Sequence, residues 1–171
     1  MIDDPTVIIK FKRISKLMHI LNWFCSVLEF ICFNKIDLNF MNRETTVGET
    51  IYLGLRWQKY STLNRKAILA HEYEHILQWR KWNILYIISY YLFLPLGLSF
   101  RGYWEWQAFK AQLLIQKEKT YKVNLDIMVN YYTNVLTGSK YFFALWIIKP
   151  LFKKVVKKFI YKNFKELKYG N

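Results

Sequence analysis

The chain has 171 residues, enough to bury one core and too few for two comfortable domains. Apolar residues make up 53% and aromatic residues 19%, while 26 Lys and Arg against 12 Asp and Glu leave a formal net charge of +14. Few partners suit both properties, namely anionic membrane surfaces, non-specific nucleic acid or a large assembly, and two cysteines exclude a disulfide scaffold.

The N-terminus, MIDDPTVIIKFKR, places two aspartates where a secretory signal carries positive charge, and no apolar run begins early enough. An intracellular location is expected. Val7, Ile9 and Phe11 alternate with Ile8, Lys10 and Lys12, which predicts a strand; Ile14 to Phe33 reads as a mostly buried helix. Cys25 and Cys32 fall on that helix seven residues apart, about 10 Å at ~1.5 Å per residue, too far to pair. Ile36, Leu38 and Phe40, and then Ile51, Leu53, Leu55 and Trp57, predict two further strands around a polar turn, NRETTVGE. Ser61 or Thr62 caps the next helix, which runs to about Trp82.

Ile84 to Phe100 carries no charge and contains Pro95 and Gly97. It lies at the lower limit for a span of ~20 residues and reads as a buried or interfacial helix hairpin. A helix over about Tyr103 to Lys119 follows, then one that opens at Asn124 and stops near Gly138. Pro150 separates the apolar stretch YFFALWII from a tail, Leu151 to Lys168, whose Phe, Val, Ile and Leu residues fall on one helical side and whose lysines fall on the other. That tail reads as a basic amphipathic helix, suited to core packing or to an anionic membrane. The expected architecture is α+β, a small three-stranded sheet packed on the helix that carries HEYEH and on further helices, over residues 1–150, with 151–171 an appended helix of the same domain.

Within LAHEYEHILQW, His71 and His75 lie one helical turn apart, so both rings can direct a nitrogen at one ion. Glu72 sits beside that face, placed to hold and deprotonate a water rather than to act as a ligand. A hydrolytic zinc site needs three protein ligands and an open position. No histidine follows His75, so the third ligand is a carboxylate, and Glu105, Glu118, Asp126 and Glu166 are the ones available.

ETIYLGLRWQKYSTLNRKAILAHEYEHILQW followed by YWEWQAFKA resembles the gluzincin metallopeptidases, especially the short-domain relatives of CAAX prenyl proteases and membrane heat-shock proteases. The resemblance covers roughly residues 48 to 112. It implies a zincin-like fold, zinc held by His71, His75 and Glu105, and Glu72 as general base. Phe109 stands where those families carry an aspartate that orients a zinc histidine. The residues around Glu105 agree with this choice, since Ala108 and Ala111 allow close packing against the HEYEH helix.

The function expected is zinc-dependent peptide-bond hydrolysis, with an edge strand over Glu49 to Trp57 holding an extended peptide or protein substrate by β-addition. The competing expectation is a catalytically idle zincin-fold protein, structural or docking, in a viral or membrane assembly, bound through its basic face to anionic membrane or nucleic acid. Gln78 can reach the site, a neighbouring backbone group or solvent, and Glu74 is expected to pair with Arg80 or Lys81. His19 and the tyrosines 103, 131, 132 and 141 are candidates for stabilising an oxyanion.

Overall fold

The structure, a computed structural model, describes residues 4–31, 40–91, 100–117, 124–138 and 148–165. The elements run β1 (Ile8–Phe11), α1 (Lys16–Ile31), β2 (Thr45–Val47), β3 (Thr50–Leu53), α2 (Thr62–Trp82), α3 (Ile84–Tyr91), α4 (Arg101–Lys117), α5 (Leu125–Thr137) and α6 (Lys149–Phe164). The fold is α+β, mostly helical, with one small mixed sheet.

Its strands are ordered β1-β3-β2. β1 runs parallel to β3, pairing Ile9 with Ile51, and a parallel pair needs a crossover, here one that contains α1. β2 runs antiparallel to β3, pairing Val47 with Thr50 through a two-residue loop. Gly48 opens that loop at φ +59°, a conformation that costs a residue without Cβ nothing.

The sheet departs from the sequence expectations. NRETTVGE is not only a turn, because its β-branched Thr45, Thr46 and Val47 form β2. The expected strand over residues 36–40 lies outside the described residues except for Phe40, which opens a short 3-10 turn. The strand near residue 50 is also shorter than Glu49 to Trp57 and lies at the centre of the sheet, so it offers no free edge for β-addition. Its burial fits that position: Ile51, Tyr52 and Leu53 are all buried, whereas Ile8, Ile9 and Phe11 of β1 are exposed.

α2 is capped by Ser61, whose Oγ accepts the Asn64 N–H at 3.3 Å, and it is sandwiched between two layers. One side packs Ile76 against Ile51 and Leu53 of the sheet. The other side lies along α4, where buried Gly102 and Ala108 keep the two backbones close. The far face of α4 presents Trp106 and Leu113 to a larger core made with Leu125, Val129 and Leu136 of α5 and Phe152, Val156, Ile160 and Phe164 of α6. The tail helix therefore packs Phe152, Val156, Ile160 and Phe164 internally, leaves Leu151 and Val155 exposed, and points Lys153, Lys154, Lys157, Lys158 and Lys162 to solvent.

α3 behaves differently. It leaves Ile84, Leu85, Ile87 and Ile88 exposed, and the rest of the expected apolar hairpin, residues 92–99, lies outside the described residues. Among the described residues, no helix is long and apolar enough to cross a membrane.

Candidate metal centre

A helix of 3.6 residues per turn brings residues four apart onto one face and turns the next residue by about 100°. In α2 this sends His71 and His75 toward α4 and Glu72 toward the sheet. All three are buried. Glu105, from the first half of α4, is buried opposite the histidines, with its Oε2 3.4 Å from His71 Nε2 and 3.8 Å from His75 Nε2. One ligand atom from each of His71, His75 and Glu105 lies within 4.8 Å of the others.

The charges explain how this cluster stays buried. Burial alone would raise the Glu105 carboxyl, but the hydrogen bond from His71 and the charges of His75, His71 and Arg101 outweigh it and hold it well below the usual carboxylate range. Burial likewise opposes a charged His71, yet the hydrogen bond and charge of Glu105 raise its imidazole. The donor set, two imidazole nitrogens and one carboxylate oxygen, fits zinc better than calcium or magnesium, which favour oxygen alone.

The outer contacts of the two histidines differ. His75 Nδ1 lies 2.9 Å from Gln78 Oε1 and 3.2 Å from the Tyr86 hydroxyl. His71 Nδ1 is buried without a hydrogen-bond partner of normal geometry, although the Gln112 side chain also favours the charged ring. Phe109 packs edge-on against the His71 ring with centroids 4.7 Å apart.

Glu72 faces β2. Thr46 donates its hydroxyl to Glu72 Oε2 at 2.7 Å, and Thr46 Oγ1 also lies 3.2 Å from the Glu72 main-chain carbonyl oxygen. Behind Thr46, Lys12 is fully buried and donates from Nζ to Phe40 O and Thr45 Oγ1, both at 2.6 Å. Burial lowers the Lys12 ammonium to about 8, against the charges of Glu72 and Glu44, which favour it. Burial, with the Glu72 charge acting the same way, raises the Glu44 carboxyl.

The remaining expected residues are dispersed. Asp126 accepts from the Tyr161 hydroxyl at 2.9 Å near the start of α5, whose cap is Asn124, and Glu118 and Glu166 lie outside the described residues. Arg80 does not pair with Glu74; its Nη1 meets Asp4 Oδ2 at 2.6 Å and its Nε meets Glu49 Oε1 at 2.9 Å, because the chain start and the hairpin loop both pass over that turn of α2. His19 is exposed on α1, with Nε2 3.0 Å from Arg13 O. Tyr103 is exposed and lines a cavity between α2, α3 and α4 with Trp82, Leu85 and Ile88. Tyr132 is buried against Phe109 and Trp106, Tyr131 is exposed, and Tyr141 lies outside the described residues. Three contacts escape the sequence reading: Thr46, Lys12 and Tyr86. Only Thr46 had a signal, the β-branched run Thr45, Thr46 and Val47 ahead of Gly48.

No family model matches the chain, and neither the curated proteins nor the solved structures contain a match.

Proposed function

We propose that the chain is a zinc-dependent peptidase of gluzincin type. The observation that carries this reading is the convergence of His71, His75 and Glu105 within 4.8 Å, with a buried Glu72 on the adjoining face of the same helix. Zinc held by the first three would supply Lewis-acid activation. Glu72 would act as general base toward an attacking water and then as general acid toward the leaving amine. Thr46 fixes the orientation of the Glu72 carboxylate by donating its hydroxyl to Oε2. β2, whose outer side has no partner strand among the described residues, is the edge that holds an extended substrate, in place of the central β3.

The zincin-like assignment belongs to the same proposal, as does association with an anionic membrane. For the latter, α3 offers exposed Ile84, Leu85, Ile87 and Ile88, and α6 offers its lysine face.

A second reading, a catalytically idle docking protein of the same fold, is favoured by one observation: the His71 ring meets Phe109 where an orienting carboxylate is expected. One experiment separates the two. Purified protein is assayed for metal content and for cleavage of a peptide library, beside Glu72→Gln, which keeps the shape and loses the base. About one zinc per chain, with cleavage by the wild type alone, supports the peptidase. Zinc without cleavage by either protein supports the idle reading, and zinc-free protein that takes none up on titration overturns the metal centre.

A further inference from the structure

The Gln78 side chain is buried between two groups whose chemistry fixes its orientation. Its Nε2 donates to the main-chain carbonyl of Trp104 at 3.1 Å. That carbonyl can only accept, so the amide must turn its NH2 end toward it and its oxygen the other way. The oxygen then faces His75 Nδ1 at 2.9 Å. An amide oxygen has no proton to give, so Nδ1 carries the hydrogen, and in the neutral ring Nε2 keeps the lone pair. Nε2 is the atom turned toward Glu105. The Tyr86 hydroxyl, 3.2 Å from the same Nδ1, shares this contact through its oxygen.

We propose that Gln78 is the positioning residue of the metal centre, holding His75 in its Nδ1–H tautomer and tying the His75 turn of α2 to the main chain beside Glu105. Outer partners of metal histidines are commonly carboxylates, backbone carbonyls or water. Here a neutral amide does the work, and it does more than accept a hydrogen bond. Because Trp104 immediately precedes Glu105, one side chain sets both the proton position on one ligand and the distance to the next. His71 is held differently, with the Gln112 side chain favouring its charged ring and Phe109 packed edge-on against it. The purpose of this arrangement rests on the metal reading above; the tautomer does not.

The test reads the tautomer without metal. Imidazole 15N–1H correlation spectra of metal-free protein, at a pH where the rings are neutral, should show His75 protonated at Nδ1. Gln78→Leu should convert His75 to a mixture of tautomers and weaken zinc binding by ~10- to 100-fold in a chelator competition. Gln78→Glu keeps an acceptor but cannot donate to Trp104 O, so it should retain the Nδ1–H form and recover only part of the zinc affinity. If Gln78 merely fills space, the two variants behave alike. A wild-type His75 protonated at Nε2, or Gln78→Leu with unchanged tautomer and zinc affinity, overturns the proposal. Wild-type protein that shows Nδ1–H but takes up no zinc overturns the metal reading instead, and leaves the tautomer assignment standing.

Discussion

The Thr46 hydroxyl is 2.7 Å from Glu72 Oε2, so the edge strand of the sheet grips the glutamate of the HEYEH helix. A hydrogen bond to a charged group contributes ~1.5–3 kcal/mol. Thr46→Val should accordingly lower peptide hydrolysis by about tenfold or more while leaving zinc content at the wild-type level, and Thr46→Ser should restore most of the rate. Equal rates for Thr46→Val and wild type in the same peptide assay would remove Thr46 from the site.

Glu105 is the carboxylate that completes the cluster, and it is buried among cationic partners. Glu105→Gln keeps the volume and removes the charge. Zinc content measured after dialysis should fall well below one per chain, at least as far as in His71→Ala. Retention of a full equivalent would mean that two imidazoles suffice and that the α4 carboxylate serves packing alone.

Lys12 gives the clearest pH signature. Burial drops its ammonium from 10.5 to about 8 in the folded protein. Between those values the unfolded chain binds the extra proton, so this group makes the folded state more stable as pH rises through that window. At ~1.36 kcal/mol per pKa unit the gain is about 3 kcal/mol. Denaturant midpoints for the wild type and Lys12→Met, measured from pH 7 to 10.5, should show the difference between them moving in favour of the wild type. A difference that stays flat with pH would place the Lys12 ammonium in solvent.

Much of this architecture is legible in the sequence. Ser61 and Asn124 announce the starts of α2 and α5, and the four-residue spacing of His71 and His75 fixes their common face. Glu105 is one of four carboxylates after His75, chosen there by resemblance, and the small residues that follow it on a closely packing helix agree with that choice. Strand order was not legible, since alternation says which face of a strand is buried and nothing about its neighbours. β3 carries the same pattern whether central or at an edge, and only its pairing with both β1 and β2 decides. Lys12 and Tyr86 were obscured for another reason: a lysine in an alternating stretch and a tyrosine in an apolar one acquire roles only from what folds against them.

The basic tail separates charge from packing. Phe152, Val156, Ile160 and Phe164 belong to the core, so Phe164→Ala should cost ~3–5 kcal/mol, read from thermal or denaturant unfolding. Replacing Lys153, Lys154, Lys157 and Lys158 with glutamine should leave stability within ~0.5 kcal/mol per site. It should weaken sedimentation with vesicles rich in phosphatidylglycerol, most at low salt. Unchanged vesicle binding would assign any membrane contact to α3.

The three candidate ligands come from α2 and α4 alone, whereas the grip on Glu72 comes from β2. The two halves of the centre can therefore open independently. β2 has three residues, and it reaches the rest of the sheet only through β3. Short peripheral strands of this kind exchange their amide hydrogens through local openings far below the global unfolding free energy. A fluctuation that lifts β2 away would leave the His71, His75 and Glu105 triangle assembled and Glu72 unrestrained. Proteins with the same amount of bound metal could then differ in turnover according to how often that hairpin is closed.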